Sequence, residues 1–229
     1  MKIKLKKKEL YFYIIFVVAL IVALGFIFFS PHTNIKTDLS KLNNNNLFPT
    51  LGPENATHTV IEFADFQCPW CAVASGMPQF AKDAAKNDPS IDSVLGSALK
   101  VQNLAKSGKV KFIYVPMSFV GQESIYATQA ALCAKEQNKF WEMHDAIFTA
   151  HDGEENNGKF SKENLKKIAQ NINGLNTTKF NNCLEENQKL SNVQEIESIA
   201  LTYVQSTPTF FVDNEKISPE WDKLSKALN

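Results

Sequence analysis

Two of the four cysteines in the chain stand three positions apart, in a Cys-Pro-Trp-Cys segment at residues 68–71. Two thiols at this spacing can close a small disulfide and can exchange it with other dithiols. Half of a zinc site has the same spacing, but zinc needs a second close pair, and Cys133 and Cys183 are each solitary. An inert structural disulfide is the other alternative, and the strain of so small a loop counts against it. The spacing therefore favours a redox-active pair.

The residues around the pair predict that it lies where a strand meets a helix. Thr59 to Phe66 is a nearly continuous apolar run, which is typical of a central strand buried on both faces. Pro69 suits the first position of a helix that Cys68 would cap. Because a helix N-terminus stabilises a thiolate, we expect Cys68 to be the solvent-facing, reactive thiol and Cys71, one turn further, to be the inner one.

The segments after the pair predict a β-α-β unit followed by a block of helices. Helical patterns run from Pro69 to about Lys86 and from about Ile91 to Ala105, and a second strand runs from Val110 to Val115. Two strands joined through helices in this way pair in parallel. From residue 121 to residue 204 the apolar positions keep a helical period, and a capping box is predicted at Ser191.

The C-terminal segment predicts two more strands and a last helix. Thr209 to Val212 is a strand that follows Pro208, and Asp213-Asn214 is a turn toward a short partner around Lys216. A helix that opens at Ser218 ends the chain. The order β-α-β, helical block, β-β-α indicates an α/β protein with the order of the thioredoxin fold and a helical domain inserted in its middle.

Three separated segments carry a family resemblance. They are residues 60–71 (VIEFADFQCPWC), residues 131–145 (ALCAKEQNKFWEMHD) and residues 206–212 (STPTFFV). They resemble the active-site strand, the inserted helices and the cis-proline loop of the DsbA-type thioredoxin-like oxidoreductases, and the resemblance covers about residues 58–229. Two features depart from the family: a long stretch between Asp88 and Gly108, which predicts an extra helix beside the site, and Ser206 where Gly is common.

The resemblance implies roles for residues beside the pair. In this family the proline that corresponds to Pro208 is cis and lies against the two cysteines, and the preceding residue, here Thr207, offers its backbone to a substrate chain. Pro69 and Trp70 are expected to contact substrate as well. Trp70 replaces a histidine of some members, so Cys68 is expected to be less acidic than in the strongest oxidants. The alternative for Pro208 is an ordinary proline at the start of an edge strand.

Glu62 interrupts the apolar strand six residues before Cys68, at a position where this family often has a buried acid. Burial raises the pKa of a carboxyl group. Such a group near Cys71 can pass a proton to and from that thiol, which is a catalytic role. The alternation of side chains along a strand leaves the alternative that Glu62 points to solvent.

Cys133 and Cys183 are predicted to form a structural disulfide. Both fall on apolar faces of predicted helices, and when the pair at 68–71 is closed one pairing remains. The alternative is two separate buried thiols. His144 is expected to be a core residue, and the acidic loop 152–157 is expected to be a solvated turn, since it lacks the order of a calcium-binding loop. We therefore expect no metal and no cofactor.

The N-terminal residues predict a membrane anchor. Residues 1–9 hold five Lys and one Glu, whereas residues 10–29 hold no charged residue. As a helix this run would cross the hydrocarbon core of about 30 Å, with the lysines on the cytoplasmic side. The alternative is a signal peptide cleaved near Gly25, and either version places the rest of the chain outside the cytoplasm. The expected arrangement is then a linker (30–57), a thioredoxin-like domain (58–120 and 205–229) and an inserted helical domain (121–204).

The patterns and the family resemblance together predict a membrane-anchored, extracytoplasmic thiol:disulfide oxidoreductase that introduces disulfides into exported, cysteine-containing proteins. The resemblance implies a quinone-linked membrane partner that reoxidises the pair. Two alternatives stay open: a reductase or isomerase supplied with electrons from the membrane, and a tethered peptide-binding holdase in which the pair is incidental. Nucleic-acid binding is not expected, because the residues after the first ten hold 19 Lys, no Arg and 23 acidic residues.

Overall fold

The computed structural model of the 229-residue chain describes residues 38–43 and 46–229. The predicted basic tail (1–9), the predicted membrane helix (10–29) and the start of the predicted linker lie outside the described residues. Among the residues that are described, no helix is both long enough and apolar enough to cross a membrane.

The described residues form a five-stranded sheet in the order β1-β3-β2-β4-β5. The strands are β1 (Thr50–Leu51), β2 (His58–Asp65), β3 (Val110–Met117), β4 (Thr209–Val212) and β5 (Glu215–Ile217). β2 and β3 are parallel, as the β-α-β pattern predicts, and the other neighbouring pairs are antiparallel. β2 is therefore a central strand, with β3 on one side and β4 on the other.

Helices cover both faces of this sheet. In chain order they are α1 (Pro69–Ser75), α2 (Gln79–Ala85), α3 (Pro89–Val94), α4 (Ser97–Lys106), α5 (Gln122–Lys135), α6 (Phe140–Ala150), α7 (Lys162–Ala169), α8 (Thr177–Glu185), α9 (Leu190–Ala200) and α10 (Trp221–Ala227). Helices α5 to α9 lie between β3 and β4 in the sequence. The predicted order of an α/β fold with helices inserted between its two halves is therefore confirmed.

The apolar run in β2 is buried because each face of the sheet has its own core. Val60 and Ala64 belong to the first core, which α1, α5 and α6 cover. Ile61 and Phe63 belong to the second core, which α9 covers. Glu62 alternates with Ile61 and Phe63, so its carboxyl group enters the first core. The helix that carries the cysteine pair lies over this same core.

Two predicted helices are each divided in the structure, and one contact explains both breaks. Gly76 ends α1 and Gly96 precedes α4, and both have a positive φ, of 65° and 68°. A Cβ atom at Gly76 would lie 2.6 Å from the Cα of Gly96, so the two backbones can approach only because Gly76 has no side chain. The predicted helices over 69–86 and 91–105 are therefore α1 with α2 and α3 with α4.

The predicted capping box is wrong. Ser191 does not cap a helix, because α9 begins at Leu190 and its cap position is Lys189. Part of the predicted linker (30–57) packs on the domain: the backbone of β1 pairs with β3, and Leu47 and Phe48 are buried in the second core. Burial of two large apolar side chains holds this part of the chain on the domain.

Candidate active site

The cysteine pair lies at the start of α1, directly after the end of β2. Cys68 is the cap residue, with an extended backbone, and Pro69 takes the first helical position, where no backbone N–H is needed. Cys68 and Cys71 are both free thiols, 8 % and 1 % exposed. Cys68 is less exposed than its predicted solvent-facing position suggests, because its sulfur contacts the carbonyl group of Thr207.

Hydrogen bonds lower the pKa of Cys68 to about 7. The largest contribution is a hydrogen bond with the Cys71 side chain, and further ones come from Thr207 and from the backbone at Cys71 and Trp70. Burial of the sulfur acts in the opposite direction. Close to neutral pH a large fraction of Cys68 is therefore thiolate, the form that attacks and leaves in disulfide exchange.

Cys71 has the opposite character. Its pKa is raised well above the ordinary value of 9.0, first by burial and then by the hydrogen bond and the negative charge of Cys68. The two sulfurs are consequently unequal: Cys68 gives up its proton easily, whereas Cys71 keeps its own. A mixed disulfide with another protein is favoured at Cys68, because that sulfur lies nearer the surface and is the better leaving group.

A loop that is distant in the sequence lies against the pair. The Thr207–Pro208 peptide bond is cis, and the Cys68 thiol donates to the Thr207 carbonyl oxygen at 3.5 Å. The Thr209 hydroxyl donates to the carbonyl oxygen of Ser206 at 2.8 Å, which closes the turn before β4. The antiparallel pairing of β4 with β2 brings these residues to the cysteine pair.

Two large apolar side chains are exposed around this end of the sheet. Trp70, between the cysteines, is 45 % exposed, and Phe119, just after the end of β3, is 44 % exposed. Val120 donates its backbone N–H to Asp65 at the end of β2, so the segment that carries Phe119 is held beside the strand that leads to the pair. Phe119 is a surface residue of this region that the sequence analysis did not single out.

Glu62 is buried, 2 % exposed, and does not point to solvent. Its pKa is raised from 4.5 to about 8, first by burial and second by the negative charge of Cys68. Its neighbours in the sheet are Tyr114 of β3 and Phe210 of β4. At neutral pH Glu62 is therefore a carboxylic acid that can give a proton to a nearby base.

The sequence analysis missed a buried polar network behind the pair. The Asp65 carboxylate accepts from the Ser124 hydroxyl at 2.6 Å, from the Gln67 N–H at 2.8 Å and from the Val120 N–H at 3.1 Å. Burial nevertheless raises the pKa of Asp65 to about 6. The available sequence signal was Asp65, a charged residue at the end of an apolar strand. A charged residue within the same strand is what identified Glu62.

Gln67 connects this network to the inserted helices. Its side-chain nitrogen donates to Ser124 at 3.0 Å and to Asn156 at 3.1 Å, and its side-chain oxygen accepts from the Asn156 N–H at 2.6 Å. The ring of His151 contacts the Gln67 carbonyl oxygen at 3.0 Å through Nε2, while Nδ1 accepts from the Gly153 N–H. The loop 152–157 is therefore attached to the residue before Cys68, and not only a solvated turn.

Two other predicted residues lie within the inserted helices. Cys133 of α5 and Cys183 of α8 are joined in a disulfide. His144 of α6 is buried among aromatic rings, with the Tyr114 ring 4.8 Å away, and burial lowers its pKa. Within residues 38–43 and 46–229, no group of three or more His, Cys, Asp and Glu side chains is arranged to hold a metal ion.

Comparisons with known proteins find a matching family model and similar chains. A family model described as Thioredoxin matches residues 45–82 and 95–229, so α3 lies in the unmatched stretch. The chain is 22% identical over 219 residues to a probable disulfide bond formation protein D of Bacillus anthracis, covering 94% of this chain and 93% of that one. It is 28% identical over 166 residues to a Na(+)/H(+) antiporter, NhaA 3, of Salinispora tropica, but covers 72% of this chain and only 21% of the antiporter.

A solved structure has the same fold. The crystal structure of oxidised BdbD from Bacillus subtilis superposes with a TM-score of 0.65 at 23% sequence identity. The superposition covers 80% of this chain and 92% of that one.

Proposed function

We propose that the Cys68–Cys71 pair introduces disulfides into exported proteins. The chain belongs to the thioredoxin family and is a DsbA-type thiol:disulfide oxidoreductase, which supports this proposal. The observation that carries the proposal is the inequality of the two thiols: the pKa of Cys68 is lowered to about 7, whereas that of the buried Cys71 is raised. Similarity over nearly the whole chain to a disulfide bond formation protein supports the direction of the reaction.

The reaction begins with the pair as a disulfide. A substrate thiolate attacks the Cys68 sulfur, so a substrate–Cys68 disulfide forms and the Cys68–Cys71 bond breaks, with its electron pair left on Cys71. Glu62 gives its proton to the Cys71 thiolate. A second substrate thiol then loses its proton to solvent and attacks the substrate sulfur, which releases the Cys68 thiolate. The substrate has lost two electrons, and the pair has gained them.

Substrate binding is assigned to the surface around Cys68. The backbone of Thr207 and the cis Pro208 face the reacting sulfur, so an extended substrate segment would pair with this loop. Pro69 is partly exposed and Trp70 is 45 % exposed, which offers apolar contact beside the sulfur without a charge requirement. Such a surface suits clients that differ widely in sequence.

A reductase or isomerase is the second candidate, and one observation favours it. A Cys68 pKa of about 7 matches the value of about 7 typical of thioredoxin, whereas strong oxidants have values near 3.5. Tryptophan at residue 70 supplies no positive charge that would lower the pKa further. The reduction potential of the Cys68–Cys71 pair therefore distinguishes the two candidates.

The setting proposed for the enzyme is the outer face of a membrane. The uncharged run at residues 10–29, preceded by five lysines, supports an uncleaved anchor with the catalytic domain extracytoplasmic. A quinone-linked membrane partner would reoxidise the pair. Mass spectrometry of the membrane-extracted protein tests the anchor: an N-terminus at Met1, or after its removal, supports it, and a start near Phe26 contradicts it.

Oxidative refolding of a reduced, two-cysteine client tests the activity. The oxidised wild-type protein should form the client disulfide stoichiometrically, and Cys68→Ser should form none. Cys71→Ser should accumulate a mixed disulfide at Cys68 after treatment with oxidised glutathione. If Cys68→Ser prevents client aggregation as well as the wild type does, and neither protein oxidises the client, the chain is a holdase and the proposal is wrong.

A further inference from the structure

Glu62 has an unusual neighbour in the sheet. In the parallel pairing of β2 with β3, Glu62 stands opposite Tyr114, and in the antiparallel pairing with β4 it stands opposite Phe210. Paired residues of adjacent strands lie about 5 Å apart and present their side chains on the same face. Of the two residues that flank the carboxyl group, Tyr114 alone has a group that can donate a hydrogen bond.

Both Glu62 and Tyr114 hold a polar oxygen that lacks a partner. The Glu62 Oε2 atom and the Tyr114 hydroxyl are buried, and neither has a hydrogen-bond partner among the described residues. A buried polar atom without a partner costs about 1–3 kcal/mol, and most proteins avoid it. The two atoms stand on neighbouring residues and are not bonded to each other in this dithiol form, so each is available to the other in a different state of the site.

Two other polar residues near Tyr114, Asp65 and His144, already have hydrogen-bond partners. Negative charge at Glu62, Cys71, Asp65 and Cys68 raises the pKa of Tyr114 beyond the effect of burial, so the hydroxyl keeps its proton. Asp65 already accepts three hydrogen bonds. The ring of His144 lies 4.8 Å from that of Tyr114, but its Nδ1 contacts Asp145.

The ring of Tyr114 is held firmly in place. Aromatic side chains surround it on several sides: Phe66 at 5.9 Å, Phe140 at 5.9 Å, Trp141 at 6.0 Å and His144 at 4.8 Å between ring centroids. Because the ring is fixed and the two oxygens are not bonded in the dithiol form, the bond forms when the Glu62 carboxyl group turns toward the hydroxyl. The aromatic core around Tyr114 then needs no repacking.

We infer that Tyr114 is a positioning residue for the buried acid: its hydroxyl donates a hydrogen bond to the Glu62 carboxylate after Glu62 has given its proton to Cys71. The inference rests on the proposed role of Glu62. In the resting state Glu62 carries the proton and does not require a hydrogen bond from Tyr114. When the disulfide opens, the proton moves from Glu62 to the Cys71 sulfur, and the hydroxyl of Tyr114 stabilises the carboxylate that remains. Tyr114 itself neither gains nor loses a proton.

Titration of Glu62 in the full chain tests the inference without a client. Infrared difference spectra between the disulfide and dithiol forms report the protonated Glu62 carboxyl, identified by its loss in Glu62→Gln. In Tyr114→Phe the acid constant of Glu62 should fall about tenfold or more, since a hydrogen bond to a charged group is lost. Tyr203→Phe is the matched control, because Tyr203 packs against the core on the other face of the sheet and should leave that constant unchanged.

A kinetic measurement is the second test of the inference. The rate at which oxidised protein reacts with a small thiol should fall in Tyr114→Phe, with its pH profile displaced in the same sense as the infrared titration. In the Glu62→Gln background the same substitution should have no effect, because no carboxylate forms there. An unchanged Glu62 titration in Tyr114→Phe, or an equal rate loss in both backgrounds, would overturn the inference. Failure to oxidise a client with the infrared change intact would overturn only the proposed direction of electron flow.

Discussion

Replacing Glu62 by Gln should make the stability of the protein less dependent on pH, so that the variant gains on the wild type between pH 4 and neutrality. The carboxyl is buried, and its pKa is raised from 4.5 to about 8, with burial as the main cause. At pH 7 it is therefore protonated in the folded protein and ionised in the unfolded chain. Each tenfold difference in proton binding is worth about 1.4 kcal/mol, so keeping the proton costs about 3 kcal/mol at pH 7.

The direction of this pH dependence follows from the number of protons that the folded and unfolded states bind. The pKa is raised in the folded state, so between 4.5 and about 8 the folded protein binds more protons than the unfolded chain. The contribution of Glu62 to stability is therefore fully present below its unfolded pKa and is lost as the pH rises toward its folded pKa. Glutamine has no such proton. The cost of burying its amide is the same at every pH, so the difference between pH 4 and pH 7 isolates the effect of ionisation.

Urea unfolding of the full chain from pH 4 to pH 8 measures this difference. Counting of accessible thiols should show that the Cys68–Cys71 pair is reduced and that the Cys133–Cys183 bond is intact. Between pH 4 and pH 7, Glu62→Gln should gain about 3 kcal/mol on the wild type. Glu163→Gln, at an exposed helical position, is the control and should follow the wild-type curve. A Glu62→Gln curve parallel to the wild type at all pH values would mean that Glu62 is ionised in the folded protein, and the proton-transfer scheme would fail.

Three other results follow from the site and the inserted helices. Alkylation of the reduced protein with iodoacetamide should modify Cys68 with half-maximal rate near pH 7, the pKa of its thiol, and spare Cys71; a transition near pH 9 at either residue would contradict the inequality of the thiols. Replacing Cys133 and Cys183 by Ala opens a link with a sequence separation of 50 and should lower the free energy of unfolding by about 4 kcal/mol in the chain-entropy model; no change in denaturant midpoint would contradict this. Gln67→Leu should cost about 1–3 kcal/mol of stability and slow client oxidation, whereas Gln170→Leu on an exposed position should do neither; equal behaviour of the two would show that the Gln67 network does not position the pair.

Local patterns predicted the parts of the site that depend on neighbours in sequence. Pro69 after Cys68 specifies a capped helix start, and the apolar run before them specifies a buried strand, so the location of the pair followed directly. Glu62 could be identified as a candidate site residue because a charged residue inside an apolar strand is either a buried functional acid or a side chain that points to solvent. The cis bond before Pro208 came from the family resemblance alone.

Contacts between segments that are distant in the sequence could not be predicted from local patterns. The break between α1 and α2 depends on Gly76 meeting Gly96, two residues that a local pattern treats as separate turns. Asn156 bonds with Gln67 across 89 positions of sequence, and only the folded chain shows that the loop supports the pair. The pairing of Glu62 with Tyr114 likewise depends on the register of two strands.

Equilibration of the full chain with glutathione buffers of defined potential tests the disulfide-donating role most directly. The fraction of oxidised Cys68–Cys71 gives its reduction potential, within a range marked by thioredoxin at about −270 mV and DsbA at about −120 mV. We expect an intermediate potential, clearly more oxidising than that of thioredoxin, together with transfer of the disulfide to a reduced client. A potential as low as that of thioredoxin, with no transfer to the client, would show that electrons flow in the opposite direction.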